Sequence, residues 1–226
     1  LSENLAFYIT ADQPVMLWGP PGIGKSDVVR QTCQSLGAQM IDLRLVLLEP
    51  TDLRGLPHVE DGSARWAKPE FLPDFPAHPL GVIFLDELTA ADPSVQKAAL
   101  QLVLDRQIGE YKLPEGWRIV CAGNRQQDRA GSFKMLSPLA NRMAHLDVEP
   151  DVDSWIDWGL RNDLDPVIMA FLRYRQELLN GVEVPGTPAF PTPRSWAAAA
   201  RNTTKLAFER RPAFVESLVG EGPAAE

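Results

Sequence analysis

One stretch near the start of the chain limits its possible folds more than any other. Residues 18–26 read Trp-Gly-Pro-Pro-Gly-Ile-Gly-Lys-Ser, and residues 19–26 match the pattern G-x-x-x-x-G-K-[ST] of a phosphate-binding loop. An apolar run at 15–18 precedes the match and a helix-like segment from Asp27 to Leu36 follows it. A chance match in a chain of ordinary glycine content is on the order of one per cent. The stretch therefore predicts a strand, a phosphate-binding loop and a helix.

Each residue type in this loop has a physical role in binding phosphate. Glycines let successive backbone N–H groups point at phosphate oxygens, and the helix N-terminus adds partial positive charge. We expect the Lys25 ammonium to reach the β- and γ-phosphates and the Ser26 hydroxyl to coordinate Mg²⁺. The predicted nucleotide-binding residues are Gly19, Pro20, Pro21, Gly22, Ile23, Gly24, Lys25, Ser26 and Asp27.

A second apolar run, at residues 81–85, ends in two acids, Asp86 and Glu87. A continuous apolar run is typical of a strand buried on both faces of a parallel sheet, and such sheets bind ligands at the carboxyl ends of their strands. Taken alone, the two acids could be exposed loop residues before a helix. Beside a phosphate loop, the sequence favours Asp86 as a ligand of Mg²⁺ and Glu87 as the group that orients or deprotonates the attacking water.

Strands alternate with helical segments through the first two thirds of the chain. Strands are predicted at 15–18, 40–45, 81–85, 118–122 and 145–148, which indicates an α/β fold with a five-stranded parallel sheet flanked by helices. Short hairpins are predicted near 58–66, where Asp61-Gly62 is a favoured turn pair, and near 107–117. Residues 1–150 are the predicted α/β domain, and the helical segments of 151–226 form a second domain. Those segments are 154–160, 167–179, 193–208 and 212–219.

Three further polar residues are candidates for the site. Asn124 follows the strand at 118–122 and could bind the γ-phosphate or the attacking water, although an Asn after Gly is usually a turn residue. Arg194 begins a helix, where a cation opposes the helix dipole, so we expect it to interact with an anion. For Arg142, the residues alone leave a functional and a surface role equally open.

Composition limits the partners and the compartment. The chain carries 22 Lys and Arg against 30 Asp and Glu, a net charge of −8, so it lacks the broad basic footprint of a duplex-binding protein, and a local basic patch stays open. Its two cysteines, Cys33 and Cys121, lie in apolar contexts without metal-ligand spacing and are expected to be core residues. No apolar run is long enough to span a membrane and residues 1–10 do not read as a signal peptide, so we expect a cytoplasmic protein.

Together these residues resemble the AAA+ ATPases, most of all the MoxR-type and dynein-related branch. Gly19–Ser26 is similar to Walker A, Asp86-Glu87 to the end of Walker B, and Asn124 to sensor 1. Leu139-Ala140-Asn141-Arg142 resembles the arginine-finger segment, and Pro193-Arg194-Ser195 resembles the sensor-2 entry to a helical lid. The hairpins near 58–66 and 107–117 resemble the helix-2 insert and the pre-sensor-1 hairpin.

The resemblance implies a P-loop NTPase that hydrolyses ATP with Mg²⁺ in a homo-oligomeric ring, usually a hexamer. Arg142 would then act on the nucleotide of the neighbouring subunit, and Arg194 on the γ-phosphate of its own subunit. The partner implied is a protein substrate or adaptor, such as a von Willebrand factor A domain protein. Trp66, Tyr111 and Lys112 are hypothetical substrate contacts on the hairpins, with ordinary packing favoured for Trp66.

Other functions stay open at this stage. A nucleic-acid motor is disfavoured by the acidic charge, and a nucleotide-gated scaffold with little turnover is disfavoured by the presence of Lys25, Asp86 and Glu87. A small-molecule kinase would need a second phosphate pocket. Arg125 and Arg129 have no assigned role, and Glu49, Asp52 and Arg54 are as consistent with a structural salt bridge as with a role in the insert.

Overall fold

A computed structural model of the chain describes residues 1–77, 79–125, 133, 135–181 and 188–225. The chain divides into two compact units. The first comprises Leu1–Pro21 and Lys25–Val148, and the second comprises Gly22–Gly24 and Glu149–Glu226. Each unit has a hydrophobic core of its own.

A five-stranded parallel sheet forms the centre of the first unit. In chain order the strands are β1 (Val15–Trp18), β2 (Gln39–Arg44), β3 (Leu56–Glu60), β4 (Ser63–Ala67), β5 (Gly81–Asp86), β6 (Gln107–Ile108), β7 (Tyr111–Lys112), β8 (Trp117–Gly123) and β9 (Ala144–Asp147). The sheet has the order β2-β5-β8-β1-β9, and all of its strand pairs are parallel. The predicted five-stranded parallel sheet is confirmed.

Helices cover the sheet in the first unit and make up most of the second. They are α1 (Ser2–Thr10), α2 (Lys25–Ser35), α3 (Pro50–Arg54), α4 (Pro93–Asp105), α5 (Ser137–Ala140), α6 (Val152–Arg161), α7 (Pro166–Tyr174), α8 (Pro193–Asn202), α9 (Arg211–Val219) and α10 (Glu221–Ala225). The start of α4 follows directly from its sequence: Asp92 caps the helix by accepting a hydrogen bond from the Ser94 N–H, and Pro93 occupies the first turn.

Strand β5 lies inside the sheet because all of its side chains are apolar up to its last residue. Every residue of β5 is buried. It pairs with β2 on one side and β8 on the other, with Leu85 opposite both Leu43 and Cys121. In a parallel sheet the carboxyl ends of the strands meet at one edge, so Asp86 is fixed at that edge.

The hairpin β3–β4 is confirmed, and Asp61 and Gly62 at its turn have φ of 51° and 75°, as a type I′ turn requires. Both strands are exposed along their whole length. Trp66, for which ordinary packing is favoured, lies on β4 with 39% of its surface exposed, so its role in packing or in substrate contact stays a prediction. The second hairpin, β6–β7, is also confirmed.

The connection between β2 and β3 contains the short helix α3. Glu49 and Asp52 form a capping box, in which the Glu49 N–H donates to Asp52 Oδ2 at 2.8 Å. These two acids therefore satisfy orphan helix N–H groups. Their role in capping replaces the salt bridge considered from the sequence.

In the second unit, two predicted helices are shorter than expected. The helix predicted at 167–179 ends at Tyr174, because Arg175 leaves the helical region with φ −118° and ψ 65°. The helix predicted at 193–208 ends at Asn202 and continues as 3-10 turns at Thr203–Lys205 and Phe208–Arg210. A tertiary contact fixes the chain just after α8, because Thr203 Oγ1 donates to the buried carboxylate of Asp165 at 2.9 Å.

The remaining sequence expectations concern the cysteines and membrane spans. Cys33 and Cys121 are free and buried, as predicted, and burial raises the pKa of the Cys121 thiol to about 12. Within the described part of the chain, no helix combines the length and the apolar character needed to cross a membrane.

The position of β5 makes a prediction about stability. Phe84 is fully buried on β5, so Phe84→Ala should lower the free energy of unfolding by about 3–5 kcal/mol, through lost apolar contacts and the cavity left behind. The control is Phe7→Ala on α1, where the side chain is 66% exposed and the expected change is within about 0.5 kcal/mol. Urea denaturation measures both, and equal losses from the two variants would contradict the placement of β5.

Candidate functional site

The loop between β1 and α2 has the backbone conformation that the glycine pattern predicts. Gly22 and Gly24 have φ of 81° and 97°, in the left-handed region that side chains rarely adopt. A Cβ added at Gly24 would meet no atom within 4 Å, so this residue borders open space. The backbone of the loop therefore leaves room for a ligand, which agrees with a phosphate cradle.

Lys25 is the first residue of α2, and its ammonium group is buried. Its Nζ donates to Gly19 O at 2.6 Å, to Pro20 O at 3.0 Å and to Asn124 Oδ1 at 2.8 Å. The first two acceptors belong to the loop after β1, and the third to the residue after β8. Since Trp18 pairs with Gly123 in the sheet, the residues that follow them lie side by side at its edge.

Ser26 and Asp86 form a second link across the same edge. The Ser26 hydroxyl donates to Asp86 Oδ2 at 2.8 Å, and the Glu87 N–H donates to Asp86 Oδ1 at 2.8 Å. A hydroxyl beside a carboxylate is an oxygen donor set of the kind that Mg²⁺ prefers when it is also held by substrate phosphates. The described residues contain no group of three or more His, Cys, Asp or Glu that could hold a metal ion without such phosphates.

Glu87 has a left-handed backbone, with φ 57°. Its carbonyl accepts hydrogen bonds from the N–H groups of Ala90 and Ala91 at 3.0 and 3.1 Å, which closes a turn after β5. Its side chain is half-buried. The Glu87 carboxylate makes no hydrogen bond or ion pair with any residue that the structure describes, so it is available to accept a proton from water.

Asn124 is fixed by its main chain and by its side chain. The Thr89 hydroxyl accepts a hydrogen bond from the Asn124 N–H at 3.0 Å and lies 3.1 Å from Asn124 O, to which it donates. The Asn124 side chain faces Lys25, as described above. Sequence reasoning singled out Asn124 but missed Thr89, since a Thr three residues after an Asp carries no motif signal of its own.

Arg142 lies outside this cluster, and its side chain is exposed. Arg142 follows α5, where its carbonyl accepts a hydrogen bond from Gln13 Nε2 at 3.0 Å and its guanidinium has no ion pair with a described residue. Arg125 forms an ion pair with Asp147 at the end of β9. Arg129 lies outside the described residues.

Arg194 belongs to the second unit. It is the second residue of α8, which begins at a capping box formed by Thr192 and Ser195. The Arg194 N–H donates to Gly22 O at 3.1 Å, a residue that groups with the same unit. The Arg194 side chain is exposed and has no ion pair with any part of the chain that is described.

Two of the predicted nucleotide-binding residues have side chains engaged elsewhere. Asp27, in the first turn of α2, forms an ion pair with Arg30 at 2.6 Å, and both side chains are about half exposed. Ile23 is buried. If these residues contact a nucleotide, only their main-chain groups are available for it.

Comparisons with solved structures show the same fold in other proteins. A proline-to-glycine variant of Thermotoga maritima RuvB aligns with a TM-score of 0.57 and 17% identity over 97% of this chain and 73% of that one. The Thermotoga maritima RuvB Holliday junction branch migration motor aligns with a TM-score of 0.53 and 17% identity, over 98% and 65%. A candidate ATPase of Cytophaga hutchinsonii aligns with a TM-score of 0.52 and 20% identity over 71% of this chain. The chain spans about half of the Cytophaga protein, 49%.

The sequence comparisons give the family. None of the curated proteins matches the chain significantly. Residues 14–143, which include four of the five sheet strands (β1, β2, β5 and β8), the loop and every residue of the cluster around Lys25, match the family described as AAA domain (dynein-related subfamily). The chain therefore belongs to the dynein-related subfamily of AAA domains, whose members are AAA+ ATPases.

Proposed function

We propose that this protein is the ATP-hydrolysing part of a cytoplasmic, MoxR-like AAA+ machine that remodels or assembles a protein partner. Hydrolysis takes place at the interfaces of a homo-oligomeric ring, in which residues 1–150 bind the nucleotide and 151–226 act as a helical lid. The observation that carries the proposal is the convergence of Lys25, Ser26, Asp86, Glu87 and Asn124 at one edge of the sheet.

The present partners of Lys25 and Ser26 indicate what changes when substrate binds. The Lys25 ammonium is held by two loop carbonyls and the Asn124 amide oxygen, and phosphate oxygens of ATP are stronger acceptors for a cation. Ser26 and Asp86 would hold Mg²⁺, which would supply positive charge to neutralise the phosphates. The Ser26 hydroxyl would then serve as a ligand in place of a donor to Asp86.

Glu87 is the general base in this proposal. It follows Asp86 directly, and its carboxylate is unpaired among the described residues while its backbone is fixed by the turn at Ala90 and Ala91. A base with a rigid backbone and a free carboxylate can orient one water and accept its proton as the water attacks. Asn124, released from Lys25, can donate its amide N–H to the γ-phosphate or to that water.

The exposed arginines fit a site completed from outside the subunit core. Arg142 has no carboxylate partner in the described chain and is exposed, so its charge is available to a neighbouring subunit. An arginine supplied in trans stabilises the charge of the transition state and increases the rate by about 10³–10⁵. Arg194 acts in the same manner on the γ-phosphate of its own subunit and couples the helical lid to the nucleotide.

The choice of a protein partner rests on charge and on the hairpins. The net charge is −8, whereas affinity for nucleic acid comes mainly from contacts of Lys and Arg with phosphate. The hairpin β3–β4 is exposed on all of its residues, with Leu56 and Val59 at 64% and 79%. Exposed apolar side chains suit contacts with protein surfaces. A von Willebrand factor A domain protein is the partner class that the MoxR-like proposal implies.

The role of Glu87 is tested by Glu87→Gln, which removes the base and keeps the size of the side chain. Turnover of ATP should fall by about 10²–10⁴ while ATP binding remains, because the carboxylate acts only on water. Steady-state phosphate release and calorimetric binding measure the two effects. Lys25→Ala is the contrasting variant, expected to lose binding as well, and Glu3→Gln on α1 is the control. Unchanged turnover in Glu87→Gln would remove Glu87 from this role.

The trans role of Arg142 makes a prediction about mixed rings. Arg142→Ala alone and Glu87→Gln alone should both be inactive, and a mixture should regain activity, because the Glu87→Gln subunit supplies Arg142 to an intact neighbouring site. Titrating one variant against the other at constant total protein measures the regain. Lys97→Ala, an exposed cation on α4, is the control and should retain activity by itself. No regain at any ratio would contradict action in trans.

The partner class is tested by stimulation of turnover. A protein substrate, or a von Willebrand factor A domain protein, should raise the ATPase rate above the basal value, and duplex or single-stranded DNA should not. The same comparison in Glu87→Gln separates true stimulation from a contaminating ATPase. Stimulation by DNA and none by protein would favour a nucleic-acid motor.

A further inference from the structure

We propose that Thr89 is a positioning residue of this site: its hydroxyl holds the main chain of Asn124, and through it the Asn124 amide and the turn that carries Glu87. The inference rests on the proposed ATP hydrolysis at this site. It concerns a residue that lies outside the Walker A and Walker B patterns and touches neither the phosphate loop nor the acids directly.

The Thr89 side chain is nearly inaccessible, with 2% of its surface exposed. Its hydroxyl forms two hydrogen bonds with the main chain of one residue: it accepts from the Asn124 N–H at 3.0 Å and donates to Asn124 O at 3.1 Å. A buried hydroxyl must be hydrogen-bonded or its desolvation destabilises the fold. Here the requirement is met entirely by the backbone of a candidate catalytic residue.

The position of Asn124 explains why its main chain needs the Thr89 hydroxyl as a hydrogen-bond partner. The ladder between β5 and β8 ends at the pair Leu85 and Cys121, and the one between β1 and β8 ends at Trp18 and Gly123. Asn124 follows both ends, so neither neighbouring strand provides a ladder partner for its N–H and C=O. The Thr89 hydroxyl takes the place of a strand there, and the Asn124 side chain is thereby aimed at Lys25, 2.8 Å away.

The same interaction stabilises the turn after β5. Glu87 has φ 57°, a left-handed conformation that is unfavourable for a residue with a Cβ atom. The chain returns to β8 immediately afterwards, since the Leu88 N–H donates to Ala122 O at 2.9 Å and Thr89 binds Asn124. Glu87 thus lies between two fixed points. On one side is Asp86, the last residue of β5, and on the other are Leu88 and Thr89, which hydrogen-bond to Ala122 of β8 and to Asn124. These contacts keep its strained backbone in place.

Two neighbours confirm that Thr89 is held closely. A Cβ added at Gly123 would lie 2.6 Å from Thr89 Oγ1, so only glycine permits this approach of the hydroxyl to the end of β8. The Thr89 carbonyl accepts a hydrogen bond from the Phe133 N–H at 2.6 Å. Thr89 therefore contacts the sensor position with its side chain and the segment leading towards α5 with its main chain.

The test compares variants that differ in the hydroxyl alone. Thr89→Val keeps the shape and removes the hydroxyl, and Thr89→Ser keeps the hydroxyl and removes the methyl group. Thr32→Val is the matched control: Thr32 is 1% exposed on α2, and its hydroxyl donates within the helix to Val28 O at 2.8 Å. Each variant is assayed for kcat, for ATP affinity by calorimetry and for thermal unfolding.

Thr89→Val should lower kcat by about 10- to 100-fold, because a misplaced catalytic group costs rate in that range. The dissociation constant of ATP should change by no more than about threefold, since a loss confined to the transition state leaves ground-state binding intact. Thr89→Ser should restore most of the rate, and Thr32→Val should keep it. In an Asn124→Ala background, Thr89→Val should lower kcat by much less than it does alone.

Hydrogen exchange gives a readout that needs no turnover. In the nucleotide-free protein the Asn124 amide should be protected in the wild type and in Thr89→Ser, and should exchange faster in Thr89→Val. If Thr89→Val does not fold, Thr89→Ala replaces it. If Thr89→Ala also fails to fold, the wild-type protein alone tests the proposal. An Asn124 amide in the wild type that exchanges as fast as one in an exposed loop would overturn it.

Wild-type kcat in folded Thr89→Val, an equal loss in Thr89→Ser, or an equal loss in Thr32→Val would each overturn the positioning role. Failure of the proposed function has a different signature. The wild-type protein would then bind and hydrolyse no ATP, while protection of the Asn124 amide could still be measured and compared between the variants.

Discussion

The site depends on the burial of one positive charge. The Lys25 ammonium is removed from water, and an isolated buried charge is among the most unfavourable groups in a protein. Oxygens from two chain segments solvate it, the loop after β1 and Asn124 after β8. These segments meet only because β1 and β8 are parallel neighbours whose ends lie in register. The topology of the sheet is thus the condition for a stable Lys25 at this position.

Asp86, the last residue of β5, is likewise bound by neighbouring protein groups. One of its carboxylate oxygens accepts from Ser26 at the start of α2, and the other from the N–H of Glu87. In the nucleotide-free site Lys25 and Asp86 are therefore both hydrogen-bonded to protein groups. A ligand that enters must replace these contacts with better ones, and a triphosphate with a divalent cation can do so for both groups at once. This substitution favours ligands that carry both charges over a lone anion or a lone cation.

The sequence predicted those features that local chemistry determines. The loop at 19–26 and the acids after β5 have fixed spacing and a required strand context, so the sheet and the composition of its edge could be read directly. The capping box at Glu49 and the end of α7 are local features that the sequence patterns did not indicate. Features set by tertiary contacts were also missed. The end of α8 depends on a contact between Thr203 and Asp165, which are 38 residues apart. Thr89 was missed for the same reason, since its partner Asn124 is 35 residues away.

The likeness to RuvB defines the fold and leaves the choice of partner to the surface. The aligned RuvB structures share 17% identity with this chain, and one fold can serve many functions through sites placed on it. In the proposed function, the edge that binds ATP is built from main-chain geometry and from Lys, Ser, Asp, Glu and Asn, residues whose chemistry does not depend on the partner. Selection of a partner would then come from elements outside that edge. In the first unit these are the exposed hairpin β3–β4 and the hairpin β6–β7, joined by an ion pair at 3.9 Å between Arg65 and Glu110.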